Sequence, residues 1–365
     1  MLRTLLPTLC LALSCAGASA QALKPVVVAK GLEHPWGLAF LPDGRMLVTE
    51  RPGRMRIVER DGKLNEALAG LPPVVAAGQG GLLDVVLHPQ FASNQLVYWS
   101  FSEAGDGGTG TAVARGRLDS QRLADVQVIF RQQPKVGGSN NHFGSRLVWS
   151  RDGRHLFVGL GDRFTRKDDA QTLDNHIGKV VRIDADGKPA ADNPFASRAG
   201  ARPEVWSYGH RNIQGAALHP GTGELWTVEH GPQGGDELNV PAAGANHGWP
   251  VITHGRNYGI GTKIGDGTER ADVAPALRTW IPSIAPSGMA FLTSERYPGW
   301  KGNVFIGALR GSHLARLELD GRRVVNEERL LNDRGARIRD VRQGPDGWLY
   351  VLTDSPDGQV WRLER

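Results

Sequence analysis

A two-strand unit that recurs six times constrains the fold of this chain more than any other feature of its sequence. Each copy has a short apolar stretch, a tight turn and a second apolar stretch. The first copy (37–49) turns at Pro42-Asp43-Gly44, and the last (341–353) turns at Pro345-Asp346-Gly347. The other four copies occupy residues 82–100, 146–161, 215–228 and 288–307. Proline presets one turn position and glycine accepts a positive φ, so these turns are explained by structure alone.

Several copies continue into a third strand that ends in a glycine-containing turn, as in residues 54–62, 178–187 and 313–321. Units of this size, with three or four antiparallel strands each, are typical of propeller blades around a channel. We therefore predict an all-β fold, a six-bladed β-propeller with blades of about four antiparallel strands. It would form a single domain over residues 21–365. The segment 25–29 is expected to add an outer strand to the last blade and close the ring, which removes exposed sheet edges.

The first twenty residues are expected to be a signal peptide outside the fold. Arg3 supplies a positive charge, residues 5–13 are mostly apolar, and residues 18–20 (Ala-Ser-Ala) have the spacing of a cleavage site after Ala20. The apolar run is too short to span a bilayer, which takes about 20 residues. We therefore predict a periplasmic or secreted protein with no membrane span. Residues 12–15 weakly resemble a lipoprotein cleavage box, so lipid anchoring at Cys15 is the alternative.

Both cysteines, Cys10 and Cys15, lie in this segment, so the mature chain would contain no thiol. Disulfides, zinc–thiolate sites and cysteine nucleophiles are then excluded. The formal net charge is +5, yet no lysine- or arginine-rich run occurs anywhere, which argues against nucleic acid as a partner. A small anionic ligand held by a few arginines fits this charge better.

The propeller geometry predicts which polar residues meet. The start of every inner strand and the end of every second strand lie on one face of the ring. Before first strands stand Gln79, 140–142, 210–212, Arg337 and Arg339, and after second strands stand 50–51, Asp162, 230–232 and Arg310. One arginine or histidine in such a loop is usually incidental. The shared register, however, brings four arginines to one mouth, where a polycarboxylate would offset their repulsion.

At these positions the chain resembles the soluble quinoprotein glucose dehydrogenases and their aldose sugar dehydrogenase relatives. The resemblance runs from His34 to Val341, and its most specific segments are 78–83, 207–212, 231–239 with 246–250, and 337–341. It implies oxidation of aldose sugars to lactones by hydride transfer to pyrroloquinoline quinone (PQQ), with Ca²⁺ as a second cofactor.

The resemblance also implies a role for each matching residue. His142 would be the general base, and Asp162 would orient it and stabilise its charged form. The quinone and its three carboxylates would be bound by Gln79, Arg211, Asn212, Arg310, Arg337 and Arg339. The carbonyls of Gly231 and Pro232 would hold calcium, and a second, structural calcium is expected near Glu237 and Asn246.

The chain departs from the glucose dehydrogenase pattern at several points. Arg310 replaces a lysine, Asn141 an aspartate and His247 a tyrosine, and loop insertions between Trp249 and Trp280 are missing. The shorter form is more similar to the broad-specificity aldose branch. We therefore expect an aldose substrate, an electron acceptor that the sequence does not identify, and a monomer or weak dimer.

Two other functions are compatible with a propeller. A calcium-dependent lactonase or esterase would gather acidic and amide ligands on the channel axis; Gln79, His142 and Asn212 suit it, but an arginine cluster does not. A non-enzymatic sugar-binding propeller would use tryptophans such as Trp36, Trp249 and Trp280 as stacking platforms. Packing within the blades is the competing explanation for these tryptophans.

Overall fold

A computed structural model describes residues 23–365; the predicted signal peptide and both cysteines lie outside the described residues. The described chain forms six four-stranded antiparallel sheets; five are built from four consecutive strands, and the sixth combines the first strand with the last three. This arrangement confirms the predicted six-bladed β-propeller. Within residues 23–365, no helix is both long and apolar enough to cross a lipid bilayer.

The strands follow one another blade by blade, after an N-terminal strand, β1 (Lys24–Leu32). The first blade comprises β2 (Pro35–Phe40), β3 (Met46–Glu50), β4 (Arg54–Val58) and β5 (Leu64–Ala67). The second comprises β6 (Leu82–Leu87), β7 (Leu96–Gly105), β8 (Gly108–Asp119) and β9 (Arg122–Arg131). The third comprises β10 (Gly144–Trp149), β11 (His155–Leu160), β12 (Lys179–Asp184) and β13 (Val205–Tyr208).

The fourth blade comprises β14 (Ile213–Leu218), β15 (Leu225–Glu229), β16 (Asp236–Asn239) and β17 (Arg278–Trp280). The fifth comprises β18 (Pro286–Phe291), β19 (Val304–Ala308), β20 (His313–Asp320) and β21 (Arg323–Leu330). The sixth comprises β22 (Ile338–Gln343), β23 (Leu349–Thr353) and β24 (Gly358–Glu364). The helices of the described chain are short: α1 (Phe91–Asn94) and two 3₁₀ turns, Lys167–Gln171 and Asn332–Arg334.

The sixth blade is completed by the other end of the chain. Strand β1 pairs antiparallel with β24, so that Lys24 lies opposite Glu364 and Leu32 opposite Gly358. Backbone hydrogen bonds between the two ends therefore close the ring and leave no open edge at this junction. The expectation that residues 25–29 supply the closing strand is confirmed.

Apolar faces of adjacent blades pack against each other to form the core. Strands β3 and β19 are buried along their whole length because neighbouring blades cover both of their faces. Strand β19 is consequently apolar throughout, whereas β3 ends in the buried polar residues Thr49 and Glu50. Between the fourth and fifth blades, for example, Trp226, Phe291 and Ile306 belong to one buried cluster.

Charged side chains fill the central channel. Arg146 lies 3.2 Å from Asp84 and 3.0 Å from Asp340, and Arg342 lies 2.8 Å and 2.9 Å from the same two carboxylates. The inner strands approach closely here: a Cβ at Gly288 would lie 2.1 Å from an oxygen of Asp340. This four-residue cluster, which we call the channel plug, separates the two ends of the channel.

Candidate active site

A cavity of about 590 Å³ opens at one end of the channel, and all six blades contribute to its lining. The predicted residues Gln79, Arg337 and Arg339 lie in its wall. They are joined by Arg51, His230 and Trp36, which the sequence analysis also named, and by His34, Gln214 and Asp354, which it did not. The face chosen from the repeat register is therefore a concave, basic mouth.

His142 and Asp162 form a buried pair beside this mouth. Nδ1 of His142 lies 2.6 Å from Oδ1 of Asp162, and the two residues are 5% and 1% exposed. His142 stands just before β10 and Asp162 just after β11, so the hairpin brings them to the same face. The backbone of His142 has φ +53°, a left-handed conformation that is uncommon outside glycine and often marks a functional position.

Arg163 holds the loop that carries His142, a role that sequence reasoning missed. Its buried guanidinium donates to the carbonyls of Ser139 (2.8 Å), Asn141 (3.0 Å) and Thr109 (3.0 Å). The guanidinium carbon also lies 3.6 Å from the centroid of the Phe143 ring. Burial lowers the pKa of Arg163 to about 10, so it stays charged at neutral pH.

The protonation states of the pair suit general base chemistry. Burial lowers the pKa of His142, against the opposing effect of its hydrogen bond with Asp162. Burial by itself would raise the pKa of Asp162, but the hydrogen bond and charge of His142 and the charge of Arg211 outweigh it and the pKa is lowered. A neutral His142 that donates from Nδ1 to the Asp162 carboxylate keeps Nε2 as the proton acceptor.

Gln79 and Asn212 connect this pair to the loops around it. The Gln79 side-chain oxygen accepts the backbone N–H of His142 at 2.9 Å. The Asn212 side-chain oxygen accepts the N–H of Gly144 at 3.2 Å. Both side chains thus use their oxygen on the protein and keep their amide N–H groups for another partner.

Three of the predicted cofactor residues have buried nitrogen atoms that are not hydrogen-bonded within residues 23–365: Nε of Arg211, Nδ2 of Asn212 and Nε of Arg339. Buried polar groups are nearly always paired, and the rare exceptions call for an explanation such as a missing ligand. An anionic, oxygen-rich ligand would accept from all three. PQQ, with three carboxylates and quinone oxygens, fits this donor set.

Asp354 ties the two C-terminal arginines together. Its Oδ2 accepts from Arg337 (3.2 Å) and Arg339 (3.1 Å), and its Oδ1 lies 3.1 Å from Nδ1 of His34. Burial opposes ionisation, but the charges of the arginines and the hydrogen bond with His34 hold the pKa of Asp354 well below its usual range. Asp354 follows β23 and His34 precedes β2. Applying the two-slot register to every blade would have found both residues.

Arg310, Gly231 and Pro232, the other residues predicted to hold PQQ or calcium, do not line the mouth cavity. The Arg310 side chain is exposed. The Gly231 carbonyl accepts from Arg211 at 2.6 Å, while the Pro232 carbonyl lies 3.5 Å from Oγ of Ser283. Backbone carbonyls are hard oxygen donors of the kind that Ca²⁺ takes, so this pair fits the ion.

Glu237 lies apart from these carbonyls, in the wall of a second cavity of about 590 Å³ together with His247 and His254. Asn246, predicted to share its calcium, instead exchanges side-chain hydrogen bonds with Gln171 at 2.9 and 3.0 Å. Among residues 23–365, no group of three or more His, Cys, Asp or Glu side chains is arranged to hold a metal ion.

The three tryptophans considered as stacking platforms have different surroundings. Trp280 is 3% exposed and packs in the core between the fourth and fifth blades. Trp36 lines the mouth. Trp249 is 7% exposed, and its indole N–H donates to Oδ2 of Asp162 at 2.8 Å.

A β-propeller whose mouth combines a buried histidine–aspartate pair with converging arginines has the architecture of an enzyme with an anionic ligand. Comparison with known proteins identifies the class. A sequence model of the family described as Glucose / Sorbosone dehydrogenase matches residues 32–362. The chain belongs to this family, as the sequence resemblance indicated.

Individual relatives agree with this assignment. The aldose sugar dehydrogenase YliI of Escherichia coli (strain K12) is 46% identical over 365 residues, which cover 98% of this chain and 97% of the relative. A crystal structure of a glucose dehydrogenase is 50% identical, with a TM-score of 0.90 over 93% of this chain and 99% of that one. The PQQ-bound aldose sugar dehydrogenase of Streptomyces coelicolor is 30% identical, with a TM-score of 0.78 over 94% and 98% of the two chains.

Proposed function

We propose that this protein oxidises aldose sugars at the anomeric carbon to lactones, using PQQ and Ca²⁺. The observation that carries the proposal is the buried His142–Asp162 pair beside a mouth with converging arginines and with buried N–H groups that find no partner among residues 23–365. When bound, PQQ supplies the acceptor for the hydride that leaves the anomeric carbon, and calcium supplies a Lewis acid. The sugar thereby loses two electrons and two hydrogens, one as hydride and one as a proton.

The protein's own residues handle the proton. Nε2 of His142 takes the proton of the anomeric hydroxyl as the carbonyl of the lactone forms. Asp162 accepts the hydrogen bond from Nδ1 and stabilises the imidazolium that results. Because the pair is buried, this electrostatic stabilisation is stronger than it would be in water.

Binding of the cofactor is assigned to the basic residues of the mouth. Arg337 and Arg339 would bind carboxylates, with Asp354 holding their guanidinium groups in place. Arg211, Asn212 and Gln79 would donate hydrogen bonds to its oxygens, and the carbonyls of Gly231 and Pro232 would hold the calcium. Arg310 would contribute only if its exposed side chain turned into the mouth, and Glu237 is assigned to a separate, structural calcium.

Two further expectations accompany this function. The similarity of PQQ-bound and aldose-oxidising relatives supports the cofactor and the substrate class. Residues 1–20, outside the described chain, support export to the periplasm.

The lactonase alternative is less well supported, because the residues lining the mouth include one carboxylate, Asp354, against three arginines.

A dye-reduction assay on the purified mature protein tests the proposal. The protein would be incubated with PQQ and Ca²⁺ and offered a panel of mono- and disaccharides, with samples lacking PQQ or containing a chelator as controls. We expect sugar-dependent reduction that requires both cofactors. Tight quinone binding without reduction by any sugar would refute the substrate class, and the absence of quinone binding would refute the proposal as a whole.

A further inference from the structure

We propose that Trp249 is a positioning residue, which holds the Asp162 carboxylate in the orientation that His142 requires and links it to the cofactor-binding Arg211. This inference rests on the proposed function, because it concerns how the proton acceptor is prepared. It assigns to Trp249 a role in the reaction in place of general packing.

The carboxylate of Asp162 is held on both of its oxygens. Oδ1 lies 2.6 Å from Nδ1 of His142 and accepts the backbone N–H of Phe164 at 2.8 Å. Oδ2 accepts the indole N–H of Trp249 at 2.8 Å. Rotation of the carboxyl group would break the bond to Trp249 as well as the bond to His142, so the indole restricts Asp162 to one orientation.

Trp249 is itself fixed by two segments, the one that follows β13 and the loop that begins at Asp162. Its backbone N–H donates to the carbonyl of Gly209 at 3.0 Å, and its own carbonyl accepts from Nε2 of Gln171 at 2.8 Å. Gln171 ends the 3₁₀ turn Lys167–Gln171, which lies a few residues after Asp162. Asp162, Gln171 and Trp249 therefore form a closed circuit of contacts, although Trp249 is 87 positions from Asp162 in sequence.

The Trp249 indole also contacts Arg211, one of the residues proposed to bind the cofactor. The guanidinium carbon of Arg211 lies 5.3 Å from the centroid of the Trp249 ring, within the range of a cation–π interaction. The backbone carbonyl of Arg211 in turn accepts the N–H of Asp162 at 2.8 Å. The Trp249 side chain therefore contacts both Asp162, the partner of the proposed base, and Arg211, a proposed cofactor ligand.

Trp206 provides a matched control. Its indole N–H donates at 2.8 Å to the carbonyl of Pro241, and its ring lies 4.5 Å from the guanidinium carbon of Arg182. Like Trp249, Trp206 therefore donates one indole hydrogen bond and lies beside an arginine guanidinium, but it does not contact the His142–Asp162 pair. Replacing it reports the general cost of losing a tryptophan.

The experiment compares Trp249→Phe with Trp206→Phe in two measurements. In steady-state assays with PQQ, Ca²⁺ and a sugar, we expect Trp249→Phe to lower kcat about tenfold and to leave KM within about twofold. A loss of this size is expected because the buried Asp162 carboxylate would lose one of its hydrogen-bond donors. In cofactor-free protein, NMR titration of the His142 ring should give a higher pKa in this variant. The reason is that the Asp162 charge, shared with fewer donors, holds the imidazolium proton more tightly. Trp206→Phe should change neither quantity.

A second variant covers the case in which phenylalanine disturbs the loop. Trp249→β-(3-benzothienyl)alanine keeps the bicyclic shape but replaces the indole N–H with sulfur. If both Trp249 variants keep kcat within twofold and leave the His142 titration unmoved, the positioning role is wrong. A His142→Ala variant separates the two ideas: if it retains full turnover, the proposed base fails, whatever the Trp249 variants show.

Discussion

Nδ1 of His142 lies 2.6 Å from Oδ1 of Asp162 at the open end of one β-hairpin, β10–β11, of the third blade. His142 precedes the first strand and Asp162 follows the second, so the hairpin brings them to the same face. The pair is buried, and its aspartate is held by two further N–H donors, those of Phe164 and Trp249. The chemistry proposed for this chain depends on that relationship.

Replacing the proposed base should abolish turnover while sparing the cofactor. We expect His142→Ala to lower kcat by about 10²–10⁴-fold, the range for loss of a general base, with little change in the affinity for PQQ. Steady-state dye reduction and a PQQ absorbance titration would measure the two quantities. His176→Ala is the control, because His176 is a buried histidine that pairs with a carboxylate, Glu204, at 2.5 Å and is not among the residues that line the mouth. A control that loses as much turnover as His142→Ala would mean that the base is misassigned.

The pH dependence of the reaction should reflect the environment of His142. Because burial lowers the pKa of His142 from its ordinary 6.5, the residue remains neutral, and able to accept a proton, at mildly acidic pH. We expect kcat/KM to fall only as the pH drops through a value below 6.5. Rates measured between pH 5 and 9 would test this, since an acid limb centred above 6.5 contradicts the assignment.

The two arginines joined by Asp354 should control cofactor affinity. Loss of a charged hydrogen bond costs about 1.5–3 kcal/mol, so Arg339→Gln should raise the Kd for PQQ by about 10- to 100-fold. The double replacement of Arg337 and Arg339 should weaken binding further. The exposed Arg322, which pairs with Glu224 far from the mouth, supplies an Arg→Gln control. An unaltered Kd in the double variant would show that these arginines do not bind the cofactor.

The channel plug should contribute strongly to stability. Asp84→Asn leaves Arg146 and Arg342 without one of their two carboxylate partners in a buried setting. Breaking a buried ion pair in this way costs about 3–5 kcal/mol of the free energy of unfolding. Urea denaturation of the two proteins would measure the difference. Asp152→Asn, which removes an exposed pair with Arg154, should leave the midpoint unchanged; equal midpoints for wild type and Asp84→Asn would contradict the prediction.

Much of the fold could be predicted because its signals are local. The six turn-and-strand units at residues 37–49 to 341–353 correspond to the two inner strands of each blade, β2–β3 through β22–β23. The closing strand was also predictable, since an apolar segment before the first copy has only one open edge to join. The same register drew attention to Gln79, Arg337 and Arg339, which line the mouth in the structure.

The sequence by itself determined the number of blades, the face that carries the site and the residue types gathered there. Turn residues and apolar periodicity act over a few residues and define one hairpin unit. The sixfold recurrence of that unit then gives the number of blades. Only the tertiary structure decided which partners meet. The bonds from Trp249 to Asp162 and from Gln79 to the backbone of His142 join loops of different blades. Contacts of this kind depend on the packing of neighbouring blades and loops and leave no local pattern for a reader of the sequence to find.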